Sequence, residues 1–259
     1  MDSIRVLLAD DSVSVRELIV EALSAQDNIE VIGAAEDGKE LLQLLVNHVP
    51  DIVLLDVEMP VMDGLDTLRN LRKSHRHLPV LMFSSLTPRG GKATLEALAL
   101  GANDFVPKPT SATDASEAVK YIEEELVPKI RYWSSYNRTD RCSSAQPQQT
   151  PKKVNSALPS NPAKPIEIVA IGSSTGGPNA LADVLSRLPK DFSVPILVAQ
   201  HMPKLFTKLL AERLDKASPL KVAEATEGAA ITPGVVLIAP GDCHIIVEGT
   251  SLKLSLIHI

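Results

Sequence analysis

The sequence predicts an α/β protein with two doubly wound parallel-sheet domains. Short apolar runs alternate with amphipathic stretches on both sides of residues 133–165, which is the pattern of repeated strand–helix units. Residues 133–165 are instead rich in proline, serine and glutamine, so we expect a flexible linker there. The chain has 259 residues, 44% of them hydrophobic, which is enough to build a core on each side of that linker.

The first half of the chain is predicted to form five successive strand–helix units. Apolar runs predict strands at residues 4–9, 29–34, 52–55, 78–83 and 104–106. Amphipathic stretches predict helices at residues 13–24, 38–47, 64–74, 90–100 and 114–132. In an open parallel sheet, ligands bind outside the carboxyl ends of the strands, so functional side chains are expected there.

Five polar side chains follow those strands in order. Asp10 and Asp11 come after the first strand, Asp56 ends the third, Ser84 follows the fourth and Lys108 follows the fifth. Three carboxylates brought together favour a hard cation such as Mg²⁺. Lys108 would add a fixed positive charge, and the Ser84 hydroxyl could bond a phosphoryl oxygen. Taken singly, each residue could equally be a helix cap, a turn residue or a solvated surface charge.

The second half opens with a serine on a predicted sharp turn. An apolar strand at 166–171 leads into Gly-Ser-Ser-Thr-Gly-Gly at 172–177, and a helix is predicted at 179–187. This G-x-S-x-G spacing lets the Ser174 hydroxyl project from the turn, with backbone N–H groups nearby to hold an oxyanion. The same segment could also be an ordinary Gly-Ser loop that ends a strand and caps a helix.

A histidine lies at the carboxyl end of the next predicted strand. The apolar run 195–199 leads to His201, and sequential strands of such sheets are usually neighbours. His201 is therefore expected near Ser174, where a neutral imidazole could take the serine proton. A lone histidine can also be purely structural.

Composition excludes several classes of protein. The formal net charge of −6, without a clustered basic face, argues against a nucleic-acid partner. The amino terminus lacks a signal-peptide pattern, and no apolar run is long enough to insert into a membrane, so we expect a cytoplasmic protein. The two cysteines, Cys142 and Cys243, have neither disulfide-framework nor metal-ligand spacing.

Residues 4 to about 130 resemble the receiver domain of bacterial two-component response regulators, which is flavodoxin-like. The resemblance rests on Ala-Asp-Asp-Ser at 9–12, Leu-Asp-Val-Glu-Met-Pro at 55–60, Met-Asp-Gly at 62–64, Ser-Ser at 84–85 and Val-Pro-Lys-Pro at 106–109. It implies that Asp56 accepts phosphate from a chemotaxis histidine kinase. It also implies an Mg²⁺ site formed by Asp10, Asp11, Asp56 and the backbone carbonyl of Glu58.

The same resemblance assigns three switch positions. Ser84 takes the usual Thr/Ser position, Phe105 takes the aromatic position, and Lys108 is the lysine of the motif. Because receivers control many kinds of output domain, these residues do not identify the output.

Residues 166 to about 248 resemble the catalytic domain of the chemotaxis methylesterases, which is Rossmann-like. The resemblance rests on Ala-Ile-Gly-Ser-Ser-Thr-Gly-Gly-Pro at 170–178, Gln-His-Met-Pro at 200–203, Phe-Thr at 206–207, Ala-Glu-Arg-Leu at 211–214 and Ala-Pro-Gly-Asp-Cys-His at 239–244. It implies that Ser174 is the nucleophile and His201 the base, with Thr175 and Gly176 in the substrate pocket and no cofactor for the esterase step. Ser173 stands where the family commonly has alanine.

The family also uses an aspartate near its carboxyl terminus to orient the histidine. The acids after the elbow occupy other positions, and Asp242 is most simply a turn residue, so we expect the triad aspartate to lie beyond this chain. Residues 254–259 depart from the family pattern and resemble one reading frame of a transposon-derived adapter, which indicates a non-native tail. The expected organisation is a receiver domain at 1–132, the linker at 133–165, the amino-terminal part of an incomplete methylesterase domain at 166–253, and that tail.

The resemblance implies a phosphorylation-activated hydrolase. It would remove methyl esters from, and deamidate glutamines of, the glutamate sites of methyl-accepting chemoreceptors. Two alternative functions remain to be considered. A transcriptional regulator would need a basic helix-turn-helix domain, which residues 166–253 do not resemble. A phospho-regulated binding module without catalysis would fit a chain that lacks the triad aspartate.

Overall fold

The fold consists of two parallel β-sheets, each with its own helices. The computed structural model describes residues 3–109, 115–142 and 166–256. The first sheet contains five strands: β1 (Ile4–Ala9), β2 (Ile29–Ala35), β3 (Ile52–Asp56), β4 (Val80–Ser84) and β5 (Asp104–Pro107). All its pairings are parallel, in the order β2-β1-β3-β4-β5. This is the flavodoxin-like doubly wound order, which confirms the predicted fold class.

Four helices connect the strands of the first sheet. They are α1 (Val13–Ser24), α2 (Gly38–Asn47), α3 (Gly64–Ser74) and α4 (Pro88–Ala99). Each begins at a residue whose side chain accepts a hydrogen bond from a backbone N–H of the first turn: Ser12, Asp37, Asp63 and Thr87. These caps satisfy N–H groups that have no partner within the helix and fix where each helix starts.

The last helical part of the first domain is longer than predicted. Helix α5 (Ala115–Tyr121) continues through a π-helical segment (Ile122–Leu126) into α6 (Val127–Cys142). The expected linker start at 133 is therefore wrong, because α6 runs on to Cys142. The physical reason is packing: Trp133 lies against the core of the first domain, and Ser134 is buried. Residues 143–165, the rest of the expected linker, lie outside the described residues.

The second sheet contains four parallel strands. These are β6 (Val169–Ser173), β7 (Ile196–Gln200), β8 (Lys221–Glu224) and β9 (Val235–Ile238), in the order β6-β7-β9-β8. Helix α7 (Gly177–Ser186) follows β6, and α8 (Lys204–Ala217) follows β7. The prediction of a second parallel-sheet domain is thereby confirmed.

An antiparallel hairpin follows the second sheet. It consists of β10 (Cys243–Glu248) and β11 (Ser251–Leu256), with Cys243 opposite Leu256. The hairpin thus includes the first three residues of the segment interpreted as a non-native tail. Residues 257–259 lie outside the described part of the chain.

The two domains share one apolar core. A single cluster of buried side chains includes Leu98 and Phe105 of the first domain and Phe206 and Leu210 of the second. The rings of Phe105 and Phe206 stack with centroids 4.6 Å apart. Among the described residues, no helix is long and apolar enough to cross a membrane.

Candidate functional site

The serine elbow is a tight turn between β6 and α7. The amide of Gly177 donates to the carbonyl of Ser174 over 2.9 Å, which closes the turn. Gly176 has φ +73°, a left-handed conformation that favours glycine. Helix α7 begins at the next residue, so its N-terminal amides lie beside the serine. Ser174 is exposed.

The register of the second sheet brings the histidine to the serine. Strands β6 and β7 pair in parallel, with Ser173 opposite Gln200. One residue further on, the amide of His201 donates to the carbonyl of Ser173 over 3.0 Å. Ser174 and His201 therefore leave the same edge of the sheet side by side, and the side chain of His201 is exposed as well.

Two polar side chains near the elbow have no role assigned from the sequence. Gln200, at the end of β7, hydrogen-bonds to Ser173 and Ser174 of the elbow and to the carbonyl of His201. Asp104, at the start of β5 in the first domain, accepts a hydrogen bond from the amide of Gly176 over 3.2 Å. Gln200 begins the Gln-His-Met-Pro motif and Asp104 begins a predicted strand, but their hydrogen bonds to the elbow are visible only in the three-dimensional structure.

The acidic cluster forms at the carboxyl edge of the first sheet, as predicted. Carboxylate oxygens of Asp10, Asp11 and Asp56 lie within 4.8 Å of one another. Asp10 and Asp56 are buried, whereas Asp11 is exposed. The ammonium group of Lys108 lies 2.7 Å from Asp56 Oδ2 and 2.8 Å from Asp10 Oδ2. Lys108 thus pairs with two buried carboxylates, whereas the third carboxylate, Asp11, is exposed to solvent.

The electrostatics of this cluster raise two pKa values. Desolvation by burial raises the pKa of Asp56 to about 6, although Lys108 acts in the opposite direction. Burial opposes the charged form of Lys108, but its hydrogen bonds to Asp10 and Asp56 and their negative charges outweigh this and raise its pKa. At neutral pH, Asp56 is therefore largely ionised and Lys108 is charged.

The residues fit an Mg²⁺ ion. The three carboxylates supply hard oxygen ligands within one ion's reach, and a single lysine does not balance their charge. Exposed Asp11 leaves one side open to water, which Mg²⁺ usually retains.

The remaining predicted residues lie around this cluster. Glu58 follows β3 and its carboxylate pairs with Arg89 at 3.5 Å. Ser84 is fully buried and accepts a hydrogen bond from the Thr94 hydroxyl over 2.7 Å. Phe105 is buried, and its ring stacks on that of Phe206 in the second domain.

Polar contacts join the first domain to the elbow. Besides the bond from Gly176 to Asp104, the side-chain amide of Asn179 in α7 donates to the carbonyl of Ala102 over 2.9 Å. Lys129 pairs with Asp104 at 3.2 Å and donates to the carbonyl of Phe105. The first domain thus holds the start of α7, next to the exposed Ser174.

Comparison with known proteins places both halves in known families. Residues 6–120 match the response regulator receiver domain model, and residues 169–258 match the CheB methylesterase model. A protein-glutamate methylesterase/protein-glutamine glutaminase of Trichodesmium erythraeum is 42% identical over 99% of this chain and 73% of its own length. One of the same name from Clostridium acetobutylicum is 41% identical over 98% of this chain and 72% of its own.

Among solved structures, the response regulator domain of Thermotoga maritima CheB is 34% identical. The match covers 51% of this chain and 97% of that domain, with a TM-score of 0.46.

Proposed function

The chain belongs to the protein-glutamate methylesterase/protein-glutamine glutaminase family, and we propose that it hydrolyses methyl esters of chemoreceptor glutamates and deamidates receptor glutamines under control of its receiver. The observation that carries this proposal is the edge where Ser174 and His201 leave adjacent parallel strands, with the N-terminus of α7 beside them. That arrangement suits acyl transfer and needs no cofactor.

The reaction would proceed in two acyl-transfer steps. Ser174 Oγ attacks the γ-carbonyl carbon of the glutamyl ester while His201 takes the hydroxyl proton. The C–O bond to the methoxy group breaks, and His201 returns the proton to form methanol. A water molecule then loses a proton to His201 and attacks the glutamyl ester, which releases glutamate and restores the Ser174 hydroxyl. With a glutamine substrate the same steps release ammonia.

Backbone amides would stabilise the oxyanion of each step. The amides near Thr175 and Gly176 lie at the start of α7, where the helix dipole also favours negative charge. One such donor contributes about 3 kcal/mol in comparable sites. The orienting acid of the triad has no assigned counterpart among the described residues.

The receiver would supply the control. The Asp56 carboxylate takes a phosphoryl group from a phosphohistidine of the chemotaxis kinase, and Lys108 holds the phosphoryl charge. Mg²⁺ would be held by Asp10, Asp11, Asp56 and the Glu58 carbonyl. When bound, it supplies positive charge that offsets the negative charge of the phosphoryl group. The Ser84 hydroxyl would exchange its contact with Thr94 for a phosphoryl oxygen. Asp104 and Ala102 hold the start of α7, so we propose that phosphorylation weakens those contacts and opens the elbow.

The esterase is tested by methanol release from methylated receptor membranes. Ser174→Ala should lower the rate by orders of magnitude, while Ser173→Ala should keep most of it, because only Ser174 occupies the apex of the elbow. The reverse ranking would refute the assignment. Absence of methanol release from the unaltered protein would point to a binding module instead.

The receiver is tested by incubation with acetyl phosphate and Mg²⁺. The protein should gain one phosphoryl group, and methanol release should rise with it. Asp56→Asn should abolish both effects, because Asp56 alone ends β3 beside the acid pair. Labelling of the Asp56→Asn protein at the rate of the unaltered protein would contradict this assignment, and so would labelling that survives Asp11→Ala.

A further inference from the structure

We infer that Gln200 is a positioning residue, whose side-chain amide locks the serine elbow to the histidine segment. The inference rests on the proposed roles of Ser174 and His201. Gln200 is the last residue of β7, directly before His201, and it is 7% exposed. A buried amide at this point must satisfy its polar atoms within the protein.

The side chain reaches three groups on the two segments. Its Oε1 accepts a hydrogen bond from the Ser173 hydroxyl over 2.6 Å. Its Nε2 donates to the carbonyl of Ser174 over 2.9 Å and to the carbonyl of His201 over 3.2 Å. One amide therefore fixes the backbone of the proposed nucleophile and of the proposed base at the same time.

The contacts require an amide rather than another side chain. The carbonyls of Ser174 and His201 can only accept, so the NH₂ group must face them and the oxygen must face the Ser173 hydroxyl. Glutamate at position 200 could still accept a hydrogen bond from the Ser173 hydroxyl. When ionised, however, it would place a negative charge next to the carbonyl oxygens of Ser174 and His201. Leucine would fill similar space and make none of the three bonds.

The glycine that starts α7 is explained by the same side chain. Gly177 does not have a positive φ, so its backbone conformation does not require glycine. A Cβ built on Gly177 would instead overlap the side-chain oxygen of Gln200. The elbow and the amide thus fit each other closely, and a methyl group at position 177 would displace the Gln200 amide from its hydrogen bonds.

Gln200 lies beneath the surface on which Ser174 and His201 are exposed. Because it is buried while Ser174 and His201 are exposed, it does not touch the receptor. Its loss should therefore lower kcat and leave KM nearly unchanged. Misplacing a reacting group by about 1 Å can cost roughly 100-fold in rate, so we expect a loss of about 10- to 100-fold.

The test compares the unaltered protein with four variants. Gln200→Leu removes all three bonds, and Gln200→Glu keeps only the one from Ser173. Gly177→Ala displaces the amide without changing it, and Ser173→Ala removes only the hydroxyl partner and serves as the matched control. The rate at which a fluorophosphonate labels Ser174 is measured beside kcat, KM and the thermal unfolding midpoint. Fluorophosphonate labelling reports on the serine and histidine and needs no receptor.

Both Gln200 variants and Gly177→Ala should lose about 10- to 100-fold in labelling rate and in kcat, with KM within about twofold of the unaltered protein. Ser173→Ala should lose no more than about threefold. Folded Gln200 variants that are labelled at the unaltered rate would overturn the inference. Loss of the folded state in both Gln200 variants would also overturn it, since the amide would then maintain the fold and not the reacting groups. If Ser174→Ala still released methanol, the proposed function would fail instead.

Discussion

At the scale of single residues, the buried carboxylates of the receiver come at a cost in stability. Asp10 and Asp56 lie away from water and share the single ammonium group of Lys108. The net effect of burial on Asp56 is unfavourable to its charged form, as its raised pKa of about 6 indicates. Such a carboxylate is poised to gain a phosphoryl group or a cation, each of which changes the charge balance around it.

The first prediction is that Asp56→Asn stabilises the receiver at high pH. The pKa of Asp56 is about 6 when folded and 3.8 in its reference state, so folding is favoured by protonation. The stabilising effect is complete below pH 3.8 and is lost as the pH rises through 6. Above pH 6, the ionised carboxylate lowers the free energy of unfolding by about 3 kcal/mol, which asparagine should restore. At pH 5 the gain should be smaller.

Chemical denaturation at pH 5 and pH 8 measures this effect. Trp133 is the only tryptophan and packs against the receiver core, so its fluorescence follows receiver unfolding. Asp66→Asn is the control, because Asp66 is exposed and should give little change at either pH. Adding Mg²⁺ should reduce the stability gain from Asp56→Asn. The reason is that the cation binds and stabilises the unaltered receiver, which keeps all three carboxylates, more than it stabilises the variant. A gain that is larger at pH 5 than at pH 8 would contradict the argument.

Sequence patterns predicted some residues of the candidate site and could not predict others. Ser174, His201 and Asp56 were predicted because each ends or follows an apolar strand, and parallel strands end at a common edge. In the sequence, Gln200 looks like any other polar residue at the end of a predicted strand. What sets it apart is the set of hydrogen bonds to segments far apart in sequence, and spacing does not encode those.

At the scale of secondary-structure elements, the strands and most helices followed from the apolar pattern. Helices α1, α2 and α3 occupy the predicted residues, because a capping side chain precedes each one. Helix α6 was not predicted beyond residue 132, since its serine, arginine and asparagine residues resemble linker composition. Packing of Trp133 and the ion pair between Lys129 and Asp104 outweigh that weak local preference.

The second prediction concerns the contact of strand β5 with helix α7. Asp104→Asn should raise methanol release severalfold in the absence of a phosphodonor and reduce the further stimulation by acetyl phosphate. The reason is that a buried carboxylate holds the Gly176 amide better than a neutral amide can, and it also pairs with Lys129.

Asn179→Ala provides a second route to the same effect, because it removes the other polar bond between the domains at α7. The rate of Asp56 phosphorylation is measured alongside, to show that the receiver is intact. If both variants keep the unstimulated rate of the unaltered protein, these two bonds do not restrain the elbow.

At the scale of the whole molecule, the apolar contact between α4 and α8 joins the receiver to the catalytic domain. A Cβ on Gly91 of α4 would lie only 2.9 Å from the Leu209 side chain, so this glycine permits close approach of the two helices. Beside it, Phe105 stacks on Phe206, a pair that contributes about 0.5–1.5 kcal/mol beyond its buried area. Phe105 belongs to β5, the edge strand of the receiver sheet. Any shift of β5 would therefore disturb the contact between Phe105 and Phe206.

The last prediction is that phosphorylation loosens this interface as a unit. Amide hydrogen exchange should accelerate for residues 88–95 of α4 and 204–210 of α8 when acetyl phosphate and Mg²⁺ are added, because their apolar faces lose each other's cover. Strands β1 and β3 should remain protected, since they lie in the centre of the receiver sheet. The Asp56→Asn protein should show no acceleration in either helix. Phosphorylation that stimulates methanol release while α8 stays fully protected would mean that the receiver acts without separating from the catalytic domain, and that the stacked phenylalanines stay together in the active protein.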